Sequence, residues 1–425
     1  MLIGNYYEGL EFYREDKIIY GKFLVPHQVV TTCRSGGGQR DDLLFLGNHQ
    51  GCEPAGHSHS LVAAIEPDVY HKNICLAHGL DPQRCALLGT AANMRLAAVK
   101  DLTFRDLTVV AAVTGGVEGN AGRAGDPAYG WEGQDGYEAL KRPHEENSQA
   151  QERQASQESQ ERKDSQERKD SQESQASGLN PNHGTINILL FINRPLTPGA
   201  LARTLITITE AKSAALAELA VNSRYSNGLA TGTGTDQIGV ACKISKDQRP
   251  ITSSGKHSKL GELIALCVIG ALKEVLIRQN GMTTARQCSV RIHLERFHEI
   301  SPGRHGLAKE TLVNMVAAHL DDQTASLLRE NYRGLFHDPM NVAQVAAMTA
   351  IRDKFNYGIL PPSVYAEVMV HQAALLAVEA GGRTGEFTKY LERLTESPPE
   401  NSDQGFIELA ALAMAMGFND KWQEL

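Results

Sequence analysis

Residues 185–219 read TINILLFINRPLTPGALARTLITITEAKSAALAEL. The first eight, Thr185 to Ile192, are an apolar run broken by Asn187, the length and character of a buried strand. Thr197 then stands before Pro198, an N-cap residue followed by the residue preferred at the first helical position. Leu201, Leu205, Ile208, Ala211, Ala215 and Leu219 follow at helical spacing and make one apolar stripe. A further strand is expected over 237–244, where Ile238, Val240, Cys242 and Ile244 alternate on one face.

The flanks extend this pattern in both directions. Leu107 to Val113 is a second buried run, ending in Thr114-Gly115-Gly116. Residues 1–50 are strand-rich, with a hairpin expected at Arg14-Glu15-Asp16-Lys17 and strands near 24–32 and 42–46. Leu260 to Ile277 reads as a long helix, and its Glu262, Lys273 and Glu274 mark it as buried in protein rather than membrane. Strands and helices thus alternate imperfectly to about residue 285, which predicts an α/β fold: a mixed sheet with packed helices, bordering on α+β. Beyond His293, residues 340–353, 362–380 and 405–416 read as helices separated by glycine, proline and serine breaks. The domains expected are 1–285, interrupted by an insertion, and a mostly helical 286–425. The insertion is 144–179, where the hexad ERKDSQ begins at both Glu161 and Glu167. It contains almost nothing to bury, so it cannot offset its own ordering entropy and is expected to be disordered.

Composition bounds the function. A chain of 425 residues suits two domains, and 41% hydrophobic with 22% charged residues is globular. A net charge of −8 leaves no basic excess to replace phosphate counterions, so a nucleic-acid partner is not expected. No apolar run reaches the roughly 18 residues of a membrane span, and the first residues do not read as a signal peptide. Seven cysteines without a CxxC pair suggest reduced thiols in the cytoplasm.

Chemistry concentrates in two polar loops about two dozen residues apart. In Thr231-Gly232-Thr233-Gly234-Thr235-Asp236, glycines expose backbone N–H groups among three hydroxyls and a carboxylate, a combination able to hold an anion or oxyanion. The spacing is not that of a phosphate-binding P-loop. In Gly255-Lys256-His257-Ser258-Lys259-Leu260-Gly261-Glu262, basic residues crowd a helix N-terminus expected to be capped by Ser258, against the helix dipole. Glu210 and Lys212 lie off the apolar stripe of their helix, where spacing alone reads as a solvated face. Asn187 must find partners if buried, so it either knits the core or faces a site. Asn120 shares a glycine-rich loop with Glu118, Arg123 and Asp126. His49, Cys52, His57 and His59 include zinc-ligand residue types, but their spacing matches no recurring zinc pattern, and no metal is assigned.

Together these segments resemble the adenosylcobinamide amidohydrolase family. The resemblance rests on GGVEGNAGRAGD (115–126), GTINILLFINRPLTPGALARTLITITEAKSAALAEL (184–219), TGTGTDQIGVAC (231–242) and GKHSKLGELI (255–264), with weaker echoes in GNHQ (47–50) and GTAANM (89–94). It implies hydrolysis of the amide joining aminopropanol to the corrinoid, giving adenosylcobyric acid and aminopropanol in cobamide salvage. The partner is then a small corrinoid, whose cobalt belongs to the substrate, and no enzyme cofactor is implied.

Amide hydrolysis needs an activated nucleophile, oxyanion donors and an acid for the leaving amine. On residue chemistry His257 or Glu210 is expected to activate water, and Lys256 or His257 to protonate the amine, with Asp236 the further catalytic candidate. Thr231, Gly232, Thr233, Gly234 and Thr235 would hold the oxyanion. Asn120 and Asn187 are expected on the corrin's peripheral amides, with Lys212, Asn48 and His49 as further binding candidates. A covalent route through Thr233 or Thr235 is the second mechanism. Two other functions use the same residues: a corrinoid carrier without turnover, and an acyl- or phosphoryl-transfer enzyme with the glycine–threonine loop as anion cradle. Stabilisation by corrinoid or by nucleotide separates them.

Overall fold

The computed structural model describes residues 1–51, 66–128, 130–134, 136–140, 184–301, 304–396 and 400–422. The insertion, and Cys52, His57 and His59 of the candidate zinc set, lie outside the described residues. The protein is of the α/β class, with mixed sheets and a mostly helical C-terminal region. It divides into two compact units. The first is Met1–Ala124, Pro181–Val221 and Ala230–Met282, and the second comprises the described residues of Gly125–Asn180, Asn222–Leu229 and Thr283–Leu425. A single cut at residue 285 misses the early excursions into the second unit. Asn222 donates to the Ile292 carbonyl, Arg224 pairs with Glu295, and Asn227 donates to Asp403, which explains where 222–229 belongs.

The first unit contains two sheets. Strands β1 (Leu2–Tyr7), β2 (Leu10–Glu15), β3 (Ile18–Phe23), β6 (Phe45–Gln50) and β7 (Cys85–Thr90) form one in that order. The second runs β5 (Gly38–Arg40), β4 (His27–Thr31), β11 (Gln237–Lys243), β10 (Asn187–Ile192), β9 (Leu107–Thr114) and β8 (Ala98–Phe104). The expected hairpin joins β2 to β3, with Lys17 at φ 59° in the left-handed region. β10 and β11 are parallel and linked through helix α2 (Pro198–Glu218); β9 flanks β10 antiparallel. β6 and β7 are likewise parallel, with α1 (Pro67–Ala77) between them in sequence.

Side-chain alternation stacks these parts into four layers. From β10, Leu189 and Phe191 join Phe12, Ile19, Leu46 and Val110 in a core between the sheets. Ile188, Leu190 and Ile192 point the other way, onto Leu201, Ile208 and Ala215 of α2 and Leu263, Val268 and Leu272 of α3 (Lys259–Asn280). On the outer side of the five-stranded sheet, Ile18, Tyr20, Cys85 and Leu87 pack with Cys75 of α1. The N-caps are those expected: Thr197 accepts from Ala200 N at 3.3 Å, and Ser258 from Gly261 N at 3.1 Å.

The second unit is built around α4 (Lys309–Ala317), α5 (Asp322–Phe336), α6 (Pro339–Asn356), α7 (Pro362–Gly381), α8 (Phe387–Glu396) and α9 (Asp403–Trp422). Their apolar residues form one core, with Leu312, Leu328, Val345, Met369, Tyr390 and Met414 fully buried. Among the described residues no helix is long and apolar enough to cross a membrane.

Candidate active site

Strand register gathers the polar residues at one end of the two-sheet sandwich. Asn187 lies opposite Gln237 on one side and Thr114 on the other. Asn187 shares the inner face of its strand with Leu189 and Phe191 and meets the five-stranded sheet there. Its amide donates to Asn48 Oδ1 at 2.9 Å and to the Gly89 carbonyl at 2.8 Å, while its oxygen accepts from Gln237 N at 3.0 Å. Asn48 donates to Thr114 Oγ1 at 2.7 Å, and Gly89 N donates to Gln237 Oε1 at 2.8 Å. Asn48, Thr114 and Asn187 are almost fully buried, so this network ties the two sheets together. The hydrogen-bond partners of Asn187 and Asn48 given by these bonds are inside the protein.

His49 is the neighbour of Asn48 on β6, and the period of two turns it to the outer face. There its Nδ1 lies 2.6 Å from the Tyr70 hydroxyl of α1, and its ring meets that of His78. It is thus separated from the sandwich interior by its own sheet. Among the described residues no group of three or more His, Cys, Asp or Glu side chains is arranged to hold a metal ion.

The TGTGTD loop sits at the start of β11 and is held by its own carboxylate. Asp236 Oδ2 accepts from Lys212 Nζ at 2.5 Å and Thr233 N at 3.0 Å. Its Oδ1 accepts from the Thr233 hydroxyl at 2.5 Å and Ile186 N at 2.8 Å. The Lys212 and Asp236 side chains are each only 10% exposed, so this is a desolvated pair with its remaining lone pairs satisfied. Gly232 packs against it: a Cβ there would lie 2.4 Å from Asp236 Oδ2 and 2.6 Å from Lys212 Nζ.

A second group of hydroxyls borders the first. Thr185 and Thr235 share a hydrogen bond of 2.6 Å between their hydroxyls, and Thr235 also donates to the Gly184 carbonyl at 3.2 Å. That carbonyl accepts as well from Asn120 Nδ2 at 3.2 Å. The Asn120 loop is brought here by a short antiparallel pairing of Ala121–Gly122 with Gly232–Thr233, and Ala124 N donates to Thr231 Oγ1 at 2.9 Å. Gly234 and Thr235 face solvent, and Thr233 and Asn120 are half-buried. The arrangement offers a hydroxyl hydrogen-bonded to a carboxylate beside exposed N–H and O–H donors.

The GKHSKLGE loop and the threonine loop meet α2 less than two turns apart, Thr207 Oγ1 donating to the Ser254 carbonyl at 2.8 Å and Ser213 Oγ to the Thr231 carbonyl at 3.3 Å. The far end of α3 belongs to the polar end of the sandwich, since Asn280 Oδ1 accepts from Val117 N and Gln279 Oε1 from Asn93 N, both at 3.3 Å. Twenty-two residues of helix, about 33 Å, place its first residue far from there. Lys256 Nζ donates to Glu210 Oε1 at 2.9 Å, with side chains 61% and 46% exposed. Glu210 and Lys212 are two positions apart, about 200° around α2, while Ser213, three positions on from Glu210, donates to the Thr231 carbonyl at 3.3 Å. His257 is exposed. The threonine loop reaches Lys212 and Asp236, while Lys256 reaches Glu210. Sequence reasoning missed Gly184 and Thr185, for which the available signal was a glycine and a hydroxyl at the mouth of a buried strand.

These features define a two-sheet α/β protein whose threonine-rich loop is anchored on a buried lysine–carboxylate pair. The model of the adenosylcobinamide amidohydrolase family matches residues 3–284, and the chain belongs to that family. It is similar to an uncharacterised protein of Methanocaldococcus jannaschii, 32% identical over 212 residues, which are 50% of this chain and 70% of that protein.

Proposed function

We propose that this chain hydrolyses the aminopropanol amide of adenosylcobinamide to adenosylcobyric acid and 1-aminopropan-2-ol, in salvage of cobamides in the cytoplasm. Family membership supports the amide-cleaving activity and a corrinoid as the small-molecule partner. The observation that carries the mechanism is the continuous chain Thr233 hydroxyl, Asp236 carboxylate and Lys212 ammonium beneath an exposed loop. It favours the covalent route over water activated at His257.

In this mechanism Thr233 Oγ attacks the amide carbon and its proton passes to Asp236. Lys212, at 2.5 Å, balances the carboxylate and fixes its orientation. The tetrahedral oxyanion is met by the Gly234 N–H, with the Asn120 amide alongside. Collapse breaks the C–N bond, and the departing nitrogen takes the proton from Asp236. This leaves the cobyric acid carbonyl esterified to Thr233, and water hydrolyses that ester. The corrin cobalt is part of the substrate.

The test incubates purified protein with adenosylcobinamide and follows the corrinoid by chromatography and mass spectrometry. Adenosylcobyric acid with equimolar aminopropanol is the expected result. Thr233→Ala and Lys212→Met should each lose at least about a hundredfold in kcat, while His257→Ala stays within about threefold. Hydroxylamine should divert the ester to the corrinoid hydroxamate. Full activity in Thr233→Ala would overturn the covalent route, and binding without turnover would return the protein to the carrier reading.

A further inference from the structure

The second unit holds a feature that the amide chemistry leaves unused. A cavity of about 440 Å³ lies among the short helices Thr284–Gln287 and Val290–Leu294, the start of α4 and the end of α5. Its lining includes Arg286, Arg291, Lys309 and Arg333, together with Tyr332 and His337. Four permanent cations around one cavity are unusual in a chain whose net charge is −8.

Two of these cations, Arg291 and Lys309, carry carboxylate partners. Glu295 pairs with both Arg224 and Arg291, and Glu310 pairs with Lys309 at 2.9 Å. Arg291 is further fixed by donating to the Leu307 carbonyl at 3.0 Å, so its guanidinium is held in place. Lys309 Nζ lies 5.1 Å from the centre of the Tyr332 ring, and Arg333 Nε donates to the Tyr332 hydroxyl at 3.4 Å. These two cations, Arg333 first, hold the Tyr332 hydroxyl below the usual tyrosine range, as a positive local field requires. His337 donates through Nδ1 to the Cys288 carbonyl at 3.1 Å, which orients its ring.

Helix α4 adds a separate argument. Lys309 is its first residue, and the N-cap position is Ala308, which has no side-chain acceptor for the N–H groups of the first turn. A cation at a helix start without a capping side chain is unfavourable for the helix alone, and Glu310 in the same first turn offsets part of that cost. It becomes favourable when an anion is bound there, because N–H groups and ammonium then share it.

We infer that this cavity binds a small phosphate-bearing molecule, with Arg286, Arg291, Lys309 and Arg333 around the phosphate. The volume falls in the usual range for a ligand of nucleotide size, about 300–1,000 Å³. Arginines supply paired N–H donors matched to phosphate oxygens, and Tyr332 an aromatic wall.

The test is calorimetric titration of the full chain with inorganic phosphate, AMP and adenosine. Saturable one-to-one binding of phosphate or AMP is expected at a Kd below about 1 mM, weakening as salt rises. AMP at least about tenfold tighter than phosphate would identify a nucleotide as the ligand, and equal affinity a phosphate site alone. The exposed pair Lys309→Ala with Arg333→Ala should weaken binding at least about tenfold with an unchanged circular dichroism spectrum. If that double variant fails to fold, Arg333→Gln and a phosphorus NMR titration of the unaltered chain decide instead. Absence of saturable binding, adenosine binding as tightly as AMP, or indifference to the substitutions would each overturn the assignment.

Discussion

A single imidazole ties the stability of the first unit to pH. His27 is fully buried in β4, with Nδ1–H donating to the Val25 carbonyl at 2.8 Å and Nε2 accepting from the Tyr7 hydroxyl at 2.9 Å. Burial pushes it down to about 4, because the charged form would lose its hydration. An unfolded histidine titrates near 6.5, so the unfolded chain takes up this proton first as pH falls. The contribution is full above pH 6.5 and is lost progressively down to about pH 4, a loss of about 3 kcal/mol. Urea unfolding at pH 7 and pH 4.5 should show the decline, and His27→Gln should flatten it. An unchanged slope in the variant would assign the pH sensitivity to other groups. Neither the burial nor its consequence was legible in residues 24–32, because a histidine in a strand pattern looks the same whether it faces solvent or core.

Among the elements, α3 and its leading loop divide what sequence reveals from what it hides. The cap at Ser258, the Thr197-Pro198 start of α2 and the buried strands β9, β10 and β11 were all legible, because capping and alternation are local. The stacking of two sheets was not, since it depends on which face of β10 meets which face of β6. That same long-range fact sends Asn187 into the network between the sheets, whereas the opposite flanks of Glu210 and Lys212 follow from helix geometry alone. Residue type singled out Asp236 and the threonines, which the fold joins to Lys212, while Lys256 beside His257 pairs with Glu210. A structural role for the GKHSKLGE loop has a direct check. Ser258→Ala should cost about 1 kcal/mol through the lost cap, with turnover within about twofold of the parent. Thermal unfolding and the corrinoid assay read the two quantities separately, and a collapse of kcat with little loss of stability would restore the loop to the catalytic machinery. Gly261 supports the structural view, because a Cβ there would lie 2.1 Å from the Gly255 carbonyl oxygen and disturb the loop's close pass over the helix.

For the whole molecule, the path of the chain matters as much as its two cores. It leaves the first unit after Ala124 and, further along, for Asn222–Leu229, before departing finally at Thr283. The middle excursion is anchored by Arg224 on Glu295 and by Asn227 on Asp403. A chain ended at residue 284, close to the limit of the family match, therefore keeps Arg224 and Asn227 but loses these partners. Trypsin should cut it at Arg224 about tenfold faster than the full chain, because local opening there is no longer opposed. Equal resistance would mean that 222–229 holds its shape unaided. The same path bears on inheritance. An appendage joined at one seam can be shed by a single stop codon, leaving its host intact. Here a stop codon within the last third of the gene strips the anchors from a loop encoded far upstream, so the loss is felt in a segment that the shortened chain still carries.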